Sequence, residues 1–164
     1  MAGKEKGLEE LFVETLKDIY YAEKQILRSL PKMAKAASTE ELRSAFQKHR
    51  DETEMQIERL EQVFETMGKA ARGKSCQAII GIVEESQEVM EDFKGSPALD
   101  AGILASAQAV EHYEISRYGT LVTWANQLGM KDAAKLLGQT LDEEKKTDVL
   151  LTKLAEQAVN RKAA

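Results

Sequence analysis

Residues 75–97, SCQAIIGIVEESQEVMEDFKGSP, decide the fold. Ile79, Ile80, Ile82, Val83, Val89 and Met90 form the apolar side of one amphipathic helix, from about Ser75 to Phe93. Lys94-Gly95-Ser96-Pro97 then punctuates the chain: Gly95 ends that helix, Ser96 caps the next, and Pro97 sits in its first turn. The short helix therefore lies inside a connection between longer elements. A four-helix bundle whose two middle helices run parallel needs one long crossover, and a helix-bearing segment supplies it.

Working outward, four longer helical segments flank this piece. The first runs from about Leu8 to Ala37, with Leu8, Phe12, Leu16, Ile19, Ile26, Leu30 and Met33 on one stripe, and with Pro31 placed to kink it near its end. Ser38 and Glu41 read as a capping box that opens the second, whose stripe carries Leu42, Phe46, Leu60, Val63 and Met67 before Gly68 stops it. The third long helix ends at Gly129, and the last spans about Lys131 to Lys162. Each long segment has roughly 30 residues, or ~45 Å at ~1.5 Å per residue. The expected fold is all-α: a four-helix bundle with an additional shorter helix in the crossover between the second and third long helices.

Composition fits one domain over residues 1–164, with residues 1–7 read as a flexible lead. Hydrophobic residues make up 43% of the chain and charged residues 31%, which argues against both disorder and a membrane protein. No apolar run nears the ~20 residues of a spanning helix, and the charged N-terminus lacks a signal peptide's apolar stretch, so a cytoplasmic protein is expected. A net charge of −5 argues against nucleic-acid binding. Cys76 has no second thiol for a disulfide or a zinc cluster, so it reads as a small apolar residue.

Function enters through polar residues on the inward stripes. Glu23 lies between Ile19 and Ile26. In the second helix the stripe turns polar at His49, Thr53 and Gln56, with Glu52 beside it. Glu111 and Glu114 follow Ala107 in the third long helix, and Glu144 and Asp148 follow Leu141 in the last. Every long helix thus loses its apolar stripe near its middle. Several buried carboxylates cannot all stay ionised without compensation, and metal ions supply it, since carboxylate oxygens are good hard-metal ligands. Glu23 precedes Glu52 by 29 residues and Glu114 precedes Glu144 by 30, as if two helix hairpins donated equivalent ligands. His49 reads as a ligand, as an orienting group, or as a hydrogen-bonded buried histidine. His112 faces away from the stripe and is expected at the surface or a subunit contact. The acidic run from Glu84 to Asp92 reads as a solvated face.

Tyr21-Ala22-Glu23-Lys24-Gln25, Gln56-Ile57-Glu58-Arg59, Val110-Glu111-His112-Tyr113-Glu114-Ile115 and Leu141-Asp142-Glu143-Glu144-Lys145 resemble the YciF-type stress proteins of bacteria, in the ferritin-like superfamily. The resemblance covers nearly the whole chain after Gly7. It implies a bundle related to ferritins and rubrerythrins, often a homodimer, with a role in stress responses. In the wider superfamily two helices each give one glutamate and two give Glu-x-x-His. The resemblance assigns Glu23 and Glu114 as single ligands, with Glu111 competing for the latter, and Glu52 and Glu144 to the paired motifs. Met55 and Thr147 then stand where the histidines belong, and Gln56 and Asp148, one residue later, are the candidate replacements. The expected cofactor is a dinuclear metal, iron or manganese, with magnesium and calcium also open. Two functions follow: a dinuclear protein that handles iron or peroxide, or a non-catalytic dimer with a structural or degenerate site. Storage inside a hollow shell is a weaker third.

Overall fold

The computed structural model describes residues 5–164. Residues 1–4, part of the expected flexible lead, lie outside the described residues. The helices are α1 (Leu8–Ala36), α2 (Glu40–Thr66), α3 (Gln77–Asp92), α4 (Leu99–Gln127) and α5 (Lys131–Leu154). A π-helical turn (Ala155–Val159) and α6 (Asn160–Ala163) continue α5 to the end of the chain. No strand occurs among the described residues, and no helix there is long and apolar enough to cross a membrane. The expected stops hold at Gly68, Gly95 and Gly129, whose φ values of +64°, +78° and +73° suit glycine alone.

Side-chain pairs set the helix directions. Arg59 of α2 meets Thr140 and Glu143 of α5, while Glu52 meets Thr147, so these two helices are antiparallel. Asp100 at the start of α4 accepts hydrogen bonds from the backbone N–H groups of Ser38 (2.7 Å) and Thr39 (3.0 Å), just before α2. Both helices therefore start at one end of the molecule and run parallel, and α3 spans the crossover between them. α3 packs on α4 and α1. The approach is close at Gly102, where a Cβ would lie 2.6 Å from Val89 Cγ1. The apolar stripes meet in one core that includes Phe12, Leu16, Phe46, Leu60, Ile103 and Leu121.

Three local expectations change. α4 begins at Leu99 with Ala98 as its N-cap, so Ser96 and Pro97 lie in the turn before it and are not its cap and first turn. The last helix reaches Ala163, but through a π turn. α2 is not opened by a Ser38–Glu41 capping box: Thr39 is the N-cap, and it makes no side-chain cap bond. Asp100 holds this corner instead. Its carboxylate is 6% exposed and needs donors, which the backbone before α2 provides. Burial alone would raise its pKa, but the donors from Ser38 and Thr39 outweigh that and lower it. Asp100→Ala is expected to remove about 1–2 kcal/mol of stability, read by denaturant unfolding, since it deletes a cap and a tie between hairpins. Wild-type stability in that variant would show that the corner holds without the carboxylate.

Candidate metal centre

Four helices carry the polar interruptions to one level of the core. Glu23 (α1), His49 (α2), Glu111 and Glu114 (α4), and Glu144 (α5) are all 2% exposed or less. One ligand atom each from His49, Glu111, Glu114 and Glu144 lie within 4.8 Å of one another. His49 Nδ1 is 3.0 Å from Glu111 Oε1, and its Nε2 is 3.7 Å from Glu144 Oε2. Glu23 stands alongside: one of its oxygens accepts a short hydrogen bond from the Tyr118 hydroxyl, and its carboxyl faces that of Glu114.

Donor and acceptor accounting shows what this arrangement lacks. Both ring nitrogens of His49, both oxygens of Glu111, Glu114 and Glu144, and the second oxygen of Glu23 are buried without a hydrogen-bond partner. The 3.0 Å contact of His49 with Glu111 does not meet hydrogen-bond alignment. No lysine or arginine pairs with these five residues among the described residues. Burial, reinforced by the Glu144 charge, pushes the Glu23 carboxyl up to about 8, against the lowering effect of the facing Glu114 carboxyl and the Tyr118 hydroxyl. Burial, then Glu144, likewise raises Glu111 and Glu114 well above the carboxylate range. Burial lowers the His49 pKa, outweighing the nearby Glu144 and Glu52 charges. The unmet atoms thus converge where positive charge is missing. One imidazole among several carboxylates fits a hard or borderline metal ion, so this group could hold one.

The seven residues expected as ligands separate. Glu23, Glu111, Glu114 and Glu144 come together. Glu52 is partly buried on the flank, near Thr147 (3.5 Å) and paired with Lys48 (3.4 Å). Asp148 is also partly buried and is bound by Gln108 (3.2 Å) and His112 (3.1 Å). Gln56 is buried, but its amide donates to Glu143 (3.1 Å), which Arg59 clamps through two 2.7 Å contacts. His112 is at the surface, as expected, with its side chain 70% exposed. Helix geometry accounts for the Glu52 placement. The buried stripe of α2 runs Leu42, Phe46, His49, Thr53, Gln56, Leu60, and at ~100° per residue Glu52 falls ~60° to one side of His49. α2 therefore brings a histidine to the level where the hairpin repeat places a glutamate. The sequence signal for it was present: a histidine where the apolar stripe turns polar, followed by Thr53 and Gln56.

The comparisons agree with this architecture. Residues 7–164 match the family described as Domain of unknown function (DUF892). Protein YciF of Escherichia coli (strain K12) is 51% identical over 160 residues, 96% of either chain. The crystal structure of the E. coli stress protein YciF superposes with a TM-score of 0.91 at 48% identity, covering 96% of this chain and 99% of that one. YcfI from Rhodopseudomonas palustris, whose description proposes a structural role, has a TM-score of 0.87 at 44% identity, covering 93% and 97%. A ferritin-like bundle, its crossover helix and the matching residues along the whole chain after Lys6 together place this protein in the YciF-type (DUF892) family.

Proposed function

We propose that this protein is a dinuclear metal protein that handles iron or peroxide during stress, as a cytoplasmic homodimer. The carrying observation is the set of buried, unpartnered ligand atoms on Glu23, His49, Glu111, Glu114 and Glu144. A cluster of such groups is too unfavourable to persist as a mere packing feature unless protons or cations neutralise it. The imidazole favours iron over magnesium or calcium, and the carboxylates also suit manganese. A bound redox-active pair would supply electron transfer to an oxidant. The chain's own residues orient and insulate: Tyr118 holds one Glu23 oxygen by its hydroxyl, and the core around the group excludes bulk water. The stress role is supported by the likeness to E. coli YciF, which is called a stress protein.

Elemental analysis of protein purified without chelator is expected to find two iron or manganese ions per chain. Mixing that protein with oxygen or peroxide should consume the oxidant. A second reading, a non-catalytic dimer with a structural or degenerate metal site, is favoured by the single histidine at the centre and by the role proposed for YcfI. Stoichiometric metal without oxidant consumption would select that reading. Protein with no metal, and none taken up on addition, would remove the dinuclear reading and leave the non-catalytic dimer with a degenerate site.

A further inference from the structure

A small cavity lies against the back of the metal centre, between α1, α2, α3 and α4. Apolar Ile26, Leu30, Val83 and Val110 form most of its wall, together with the buried His49. Half-buried Ser29 and Val83 stand at its outer side. The cavity volume is about 10 Å³, room for one water-sized molecule.

The chemistry of the wall selects what fits. Ser29 donates to the Gln25 carbonyl (3.0 Å) and Ser86 to the Ile82 carbonyl (2.8 Å), each within its own helix, so neither hydroxyl has a hydrogen left to donate and each can only accept. A resident water needs ~2–4 polar partners, and these walls offer few. Hydrogen peroxide has the same need. An apolar diatomic does not. We propose that this cavity is an entry and holding site for molecular oxygen, with α3 as its outer wall and His49 as the boundary with the metal centre. The crossover helix then has a role beyond connection: Val83 and Ser86 wall off the cleft between α1 and α4 and set the size of what reaches His49. This inference rests on the metal-centre reading for its purpose, but not for its test.

The test uses dissolved oxygen as a paramagnetic probe of the full-length protein, freed of paramagnetic metal by chelation and shown to be folded by its helical circular dichroism. Oxygen is expected to enhance relaxation of the buried Ile26 and Val110 methyls beyond that of Leu121 and Leu137, which are buried in the core away from the cavity. Val83→Ala should increase the enhancement at Ile26, and Val83→Phe should abolish it while metal content stays at the wild-type level. Equal enhancement at cavity and core methyls would overturn the oxygen site. So would persistence of the effect in folded Val83→Phe. Metal content, measured separately, reports whether the metal reading stands, so the two ideas can fail independently.

Discussion

His49→Leu is expected to abolish stoichiometric metal binding and, at the same time, to make the metal-free protein more stable. Among the described residues it is the only nitrogen donor of the cluster. Outer-sphere changes at metal sites already weaken binding by ~10–100-fold, so loss of a direct ligand should exceed that range. The stability effect has the opposite sign. His49 is 2% exposed and neither ring nitrogen has a hydrogen-bond partner, so the metal-free fold carries a desolvation penalty there. Leucine has a similar volume and no polar atoms. The gain should be about 1–2 kcal/mol, or roughly 2–8 °C in melting temperature for a chain of this size. Glu52→Ala provides the contrast. Its carboxylate pairs with Lys48 on the flank, so that variant should keep wild-type metal content. Equilibrium dialysis followed by elemental analysis reads both variants. Metal lost in Glu52→Ala but retained in His49→Leu would return the ligand role to Glu52.

The second large effect is a pH dependence that metal reverses. Glu23, Glu111 and Glu114 have folded-state pKa values above the unfolded carboxylate value, Glu23 at about 8. The folded, metal-free protein therefore binds more protons than the unfolded chain above pH 4.5. The stability this contributes is fully present below that pH and is lost as pH rises towards 8. His49 acts in the other direction, because its folded pKa is below 6.5, but its influence fades once the unfolded chain's histidines are also neutral. The clean window is about pH 6.5 to 8, where the melting temperature of metal-free protein should fall. Metal ions replace the protons, so their uptake should release protons and strengthen with pH across the same window. At a ligand concentration 100 times Kd the gain is about 2.7 kcal/mol, or roughly 5–10 °C. Thermal scans with and without added metal at several pH values measure it. A metal-free melting temperature that stays level or rises from pH 6.5 to 8 would contradict the buried-carboxylate account.

The sequence determined the helices, their stops and the crossover, because each rests on local physics. Amphipathic period, glycines that favour positive φ, and the turn before α4, where the Ser96 hydroxyl accepts the Ala98 N–H at 3.1 Å, are properties of neighbouring residues. The same periodicity was enough to mark Glu23, Glu111, Glu114 and Glu144 as inward-facing. What it left open was decided across helices. Asp100 ties down the start of α2 from 61 residues away in sequence, an interaction no local capping pattern contains. Glu52 and His49 lie three residues apart on one helix, and only the position of α5 turned the glutamate towards Thr147 and left the histidine among the carboxylates. A helix fixes angles along its own axis. Its rotation against three neighbours is set by packing, and at the edge of a stripe that rotation decides whether a side chain faces the core or its rim.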